Sequence, residues 1–129
     1  MEPRGETAKR ALVSVVDDDE SVRESLPDLL KEFGFEVQAF SSGQEFLASD
    51  WMNRTSCLIL DIVMPGMTGL ELQQELHRRG HKIPTVFITA HADGALRARA
   101  FEGGAVGFLL KPFSDTALLE SVETALRTS

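Results

Sequence analysis

Five residues able to do chemistry follow short apolar runs in this chain. Asp17 and Asp18 come after Val-Ser-Val-Val, Asp61 after Leu-Ile-Leu, Thr89 after Val-Phe-Ile and Lys111 after Phe-Leu-Leu. Short apolar runs read as buried parallel strands, and in open α/β sheets ligands are handled at the carboxyl ends of the strands, so the five should converge on one crevice. Three carboxylates, one hydroxyl and one ammonium would share it. Such a set suits a divalent cation and a phosphoryl group better than a substrate needing general acid and base catalysis.

The elements that must position these groups alternate along the chain. Strands are expected over 11–16, 35–40, 57–60, 85–89 and 105–110. Between the first two, Val22, Leu26, Leu29, Leu30 and Phe33 form a helical stripe that Gly34 ends. Thr68 to Gly80 carries a Thr68-x-x-Glu71 capping box, apolar Leu72 and Leu76, and basic His77, Arg78 and Arg79 at its end. Ser114 caps a last helix with Leu118, Leu119, Val122 and Leu126 on its apolar face. Two further helices are expected at Gln44 to Trp51 and at the alanine-rich Ala92 to Phe101. Five βα units with right-handed crossovers predict an α/β fold, a parallel sheet with helices on both faces. Pro27 lies well inside the first helix, where the missing donor and the crowded Arg23 carbonyl cost roughly 3 kcal/mol and predict a kink.

At 129 residues the chain fits one domain with a real core. Its formal charge of -7, with no Lys/Arg cluster, argues against nucleic acid as a partner of this segment. Cys57, the only cysteine, permits no internal disulfide and reads as a buried thiol in a reducing cytoplasm. Residues 1–10 are polar, with Pro3 and Gly5, and are expected to be a flexible tail ahead of a domain over 11–127. No run reaches the ~18 apolar residues of a membrane span. His77, His81 and His91 lack metal-ligand spacing.

Four motifs in order carry a resemblance: Val-Val-Asp17-Asp18-Asp19-Glu20, Leu-Asp61-Ile-Val-Met-Pro65-Gly66-Met-Thr-Gly69, Phe-Ile-Thr89-Ala90 and Gly103-Gly-Ala-Val-Gly-Phe108-Leu-Leu-Lys111-Pro112-Phe113. Over nearly its whole length the chain resembles the CheY-like receiver domain of two-component response regulators, in the FixJ-type branch. That resemblance implies the flavodoxin-like strand order 2-1-3-4-5, with Asp61 as the residue phosphorylated by a sensor histidine kinase. It implies Mg²⁺ held by Asp18, Asp61 and the backbone carbonyl of Val63, with Asp17 acting through water. Lys111 would pair with the Asp61 carboxylate and later with the phosphoryl oxygen, before a cis Lys111-Pro112 bond. Thr89 and the Ala90 amide would meet the phosphoryl group, Val63 and His91 would border it, and the aromatic at Phe108 would swing inward on activation. The output is dimerisation through the fourth helix, fifth strand and last helix, and slow self-dephosphorylation is the one enzyme-like activity. FixJ-type proteins usually continue into a helix-turn-helix DNA-binding domain, so a stand-alone receiver and a part of a longer regulator are both open.

Blander readings weigh against single residues. Asp19 reads as a helix cap; Thr89 alone would be an ordinary strand residue and Lys111 alone a solvated charge. For Phe108, core packing and switching stand side by side. A flavodoxin-like cofactor binder would need an anion-accepting loop after the first strand, which Asp17-Asp18-Asp19-Glu20 would repel. A phosphatase working through an aspartyl phosphate would need a second acid where Val63 stands.

Overall fold

The computed structural model describes residues 11–91 and 93–128, so the expected tail and Ala92 fall outside the described residues. Five strands, β1 (Leu12–Val16), β2 (Glu36–Phe40), β3 (Cys57–Asp61), β4 (Thr85–Thr89) and β5 (Gly107–Leu110), form one parallel sheet in the order β2-β1-β3-β4-β5. β1, β3 and β4 are buried along their whole length, which explains their unbroken apolar character. The register pairs Val16 with Phe40 and Leu60, Asp61 with Ile88, and Thr89 with Leu110. The carboxyl ends therefore lie level, and the chain leaves all five strands along one edge of the sheet.

Helices α1 (Glu20–Glu32) and α5 (Asp115–Thr128) cover one face, packing Leu26, Leu30, Leu118 and Val122 onto Val13, Val15, Ile59 and Ile88. On the other face, α2 (Gly43–Leu47), α3 (Gly69–Arg78) and α4 (Gly94–Glu102) close over Val16, Leu58, Leu60 and Phe87. Burying one such side chain contributes about 1.5–3 kcal/mol. The helix starts obey their sequence signals: Asp19 caps α1 by accepting from the Ser21 amide, and Thr68 and Glu71 complete a capping box on α3. Gly34 and Gly80, at φ +93° and +83°, take the left-handed turns that close these two helices.

Two expectations need correction. The second helix does not run from Gln44 to Trp51: it ends at Leu47, and a single 3₁₀ turn, Met52–Arg54, comes after it. Ser49 ends it, its amide and hydroxyl both donating to the Phe46 carbonyl. The fifth strand begins at Gly107 rather than Ala105, because the Ala105 amide still donates to Ala100 while Val106 donates to Thr85 ahead of the ladder. Pro27 lies inside α1, which runs as one helix from Glu20 to Glu32.

Candidate functional site

Asp17 comes directly after β1 and is fully buried. Its amide donates to the Phe40 carbonyl at 3.1 Å, and its carboxylate accepts from the Asp19 amide at 2.9 Å and from Lys111 Nζ at 2.9 Å. Asp18, the next residue, is exposed. Asp61 ends β3 and is nearly buried. One carboxylate oxygen from each of Asp17, Asp18 and Asp61 lies within 4.8 Å of the others. Sequence spacing predicted that these three would meet, and they do.

The Lys111 ammonium sits between two of them, hydrogen-bonded to Asp17 and 3.7 Å from the Asp61 carboxylate. The tighter partner is thus Asp17, where the resemblance implied Asp61. Burial first, then the charge of Asp17, push the Asp61 carboxyl up to about 7 from its ordinary 3.8, with Lys111 pulling the other way. For Lys111, burial acts downward, and the Asp17 hydrogen bond with the charges of Asp61 and Asp17 outweighs it to leave the ammonium raised. In the absence of a cation the site therefore holds more negative charge than one lysine balances.

The donor set is all oxygen, which suits Mg²⁺. Val63 lies in the exposed loop two residues past Asp61, and its carbonyl takes no hydrogen bond among the described residues, leaving it open to a cation. The start of α3 presses closely on this loop. The Gly69 amide donates to Ile62 at 2.8 Å, and a Cβ at Gly69 would overlap the Asp61 carbonyl oxygen and stand 2.9 Å from Ile62 Cα. Only glycine fits there.

Thr89, fully buried at the end of β4, accepts from the His91 amide through Oγ1 at 3.1 Å, so its hydroxyl proton remains to be given elsewhere. Its carbonyl accepts from the Lys111 amide at 2.8 Å, tying the lysine to the threonine strand. Ala90 and His91 are exposed beside it. The Lys111-Pro112 bond is cis. Phe108 is half-buried against the α2–α4 side of the core, its ring 6.5 Å from that of Phe101 on α4. Among the residues of α4 only Ala100 is fully buried, so this helix rests on the sheet by few large side chains.

Sequence reasoning missed three features. Arg23 donates through Nη1 to the Asp17 carbonyl at 2.9 Å. Gln73, a polar residue of α3, is buried and donates to the Ala100 carbonyl of α4 at 3.2 Å. Ser14, inside an apolar strand, is buried and bonded to the Thr55 hydroxyl at 2.7 Å. Only Arg23 carried a sequence signal, as a cation one turn into the helix behind the acid pair.

Comparison with known proteins agrees with this geometry. The family described as response regulator receiver domain matches residues 13–123. Nodulation protein W of Bradyrhizobium diazoefficiens is 48% identical over 120 residues, spanning 93% of this chain and 53% of that protein. Transcriptional regulatory protein FixJ of Rhizobium meliloti is 41% identical over 113 residues, spanning 88% and 55%. The chain thus spans about half the length of the curated relatives it matches. Among solved structures, the FixJ-N crystal structure superposes with a TM-score of 0.84 at 37% identity, covering 92% of this chain and 95% of that one. Response regulator StyR gives 0.86 at 47% identity, covering 92% and 60%. With the matched span running from the first strand into the last helix, this chain belongs to the response regulator receiver domain family.

Proposed function

We propose that this domain accepts a phosphoryl group on Asp61 from a sensor histidine kinase in a Mg²⁺-dependent reaction, and that the modified domain changes its output face. The observation that carries the reading is the Lys111 ammonium lodged between Asp17 and Asp61 beside a third carboxylate. A carboxylate oxygen of Asp61 attacks phosphorus in line, an O–P bond forms, and the bond to the donor's histidine nitrogen breaks with its electron pair leaving on that nitrogen. Bound Mg²⁺, held by Asp18, Asp61 and the Val63 carbonyl with Asp17 in support, supplies positive charge against carboxylate and phosphate repulsion. Lys111 contributes the remaining charge and stays within reach of the new phosphoryl oxygens.

After transfer, the Thr89 hydroxyl and the Ala90 amide have a charged acceptor to bond. Drawing Thr89 inward leaves room beside β4 for Phe108, on the neighbouring strand, to rotate. The surface of α4, β5 and α5 then changes around a groove of about 530 Å³ lined by Arg97, Phe108, Leu110 and Phe113. Through it two phosphorylated copies pair. Differential contacts limit this coupling to ~1–3 kcal/mol, so the unmodified domain visits the active form as a minor state. Hydrolysis of the aspartyl phosphate is a slow activity of the domain itself, which works in the cytoplasm. Relatives named as transcriptional regulators support an output in gene expression.

Intact-mass measurement with acetyl phosphate as donor tests the chemistry. One phosphoryl group should appear in Mg²⁺ and not in EDTA, and none on Asp61→Asn. Equal labelling with and without the cation would overturn the metal assignment, and labelling of Asp61→Asn would overturn the choice of acceptor.

A further inference from the structure

The acid pair after β1 brings carboxylates from two adjacent residues to one site, in two different settings. Asp17 is fully buried and bonded to Lys111, whereas Asp18 is exposed and its carboxylate takes no hydrogen bond among the described residues. The ladder to β2 ends at Val16 and Phe40; the Asp17 amide still donates to Phe40, but the Asp17 carbonyl lies past the last rung. Arg23 takes that carbonyl. Its Nη1 donates to Asp17 O at 2.9 Å, and its own amide donates to Asp19 O at 3.2 Å. The first contact, made by the side chain, fixes the peptide plane between Asp17 and Asp18; the second is the ordinary backbone bond that opens α1, and the peptide after Asp18 is held by the Asp19 amide donating to the Asp17 carboxylate.

We propose that Arg23 is a positioning residue for the cation site: by clamping the peptide between Asp17 and Asp18 through its guanidinium, it keeps the Asp18 carboxylate directed at the bound cation while Asp17 stays turned to Lys111. The inference rests on the proposed metal site and deepens it. A guanidinium suits this task because its planar fork is pre-organised and keeps its charge throughout the working pH range.

Orientation and charge predict opposite signs, which makes the test decisive. Removing a cation beside carboxylates deepens the negative potential and should tighten Mg²⁺ binding; losing the clamp should weaken it. Calorimetric titration with Mg²⁺ is run on the parent, Arg23→Gln, Arg23→Lys and Asp18→Asn, with thermal melts in EDTA to establish folding. Outer groups that orient metal ligands typically matter by 10–100-fold in affinity, and a weakening on the order of tenfold is expected for Arg23→Gln. Arg23→Lys, which keeps charge without the fork, should weaken binding as well, and it carries the same comparison should Arg23→Gln fail to fold. Phosphorylation of both variants by acetyl phosphate should be slow at low Mg²⁺ and return to the parent rate at saturating Mg²⁺. Unchanged or tighter Mg²⁺ binding in Arg23→Gln overturns the inference and leaves the metal reading standing. A parent that binds no Mg²⁺, or an Asp18→Asn that binds it as well as the parent, overturns the metal reading and this inference with it.

Discussion

Replacing Asp61 by Asn should make the cation-free domain more stable, and the crowding around it sets the size of the gain. Burial and Asp17 raise the Asp61 carboxyl from 3.8 to about 7, which at about 1.4 kcal/mol per tenfold change in proton affinity sets a ceiling of about 4 kcal/mol on the cost of ionising it in the folded state. Solvent screening and loss of the 3.7 Å attraction to Lys111 reduce this, and a net gain of about 1–2 kcal/mol is expected at pH 8. For a domain of this size that is roughly 3–8 °C in melting temperature. The sign depends on pH. Because the folded-state value lies above the unfolded one, the parent has its full stability below about pH 4, loses it as pH rises towards about 7 and stays level above that. The gap between Asp61→Asn and parent should therefore be small at pH 5 and full at pH 8. Thermal melts in EDTA across that range measure it, and Mg²⁺ should then close the gap by stabilising the parent more than the variant. A variant that melts below the parent at pH 8 in EDTA, or a gap that does not vary with pH, would refute the claim that the folded site holds the Asp61 carboxyl above its ordinary value.

Lys111→Met should fold but lose about 1–3 kcal/mol at pH 8 in EDTA, because fully buried Asp17 loses its ammonium partner; denaturant titration reads this, and unchanged stability would count against the pair. Gly69→Ala should cost about 2–4 kcal/mol and suppress phosphorylation, since the methyl group would collide with the Asp61 carbonyl; an unaffected midpoint would mean that the loop yields freely. Cys57 is buried and its thiol is pushed up to about 12, so alkylation by iodoacetamide should require unfolding, and native-state labelling at the rate of a free thiol would contradict its placement. Thr89→Ala should still accept phosphate but lose most of the phosphate-dependent shift from monomer to dimer; sedimentation giving identical shifts in variant and parent would rule out the Thr89–Phe108 relay.

The ends of β1, β3 and β4 were legible because a buried parallel strand shows as an apolar run, and an acid or hydroxyl at its end breaks that run visibly; the half-exposed β5 carries the same kind of run up to Lys111. Capping at Asp19, Thr68 and Ser114 was legible for a similar reason: the signal is local, within three residues of the helix start. Features that depend on side chains meeting across the fold could not be read. The preference of Lys111 for Asp17 over Asp61 is set by the relative placement of three strands, not by spacing. Gln73 has a solvated look in sequence and is buried because α4 passes over it at Ala100 and Gly103. The early end of α2 turns on Ser49 and on Thr55, whose hydroxyl donates to Trp51 while accepting from buried Ser14. Such side-chain bonds compete with helix propensity and leave no periodic trace.

The sheet divides the apolar interior into two compartments that share no buried side chain, one under α1 and α5 and the other under α2, α3 and α4. Neighbouring residues on one strand, such as Ile59 and Leu60, belong to different compartments. Substitutions that share no partners add nearly independently, so changes on one side should leave packing on the other almost untouched. The two helical surfaces are accordingly free to drift at separate rates over evolutionary time. A lineage can remodel the outer surface of α4 while retaining that of α1, with the strand ends at the rim as the one region that mutation on either side must respect.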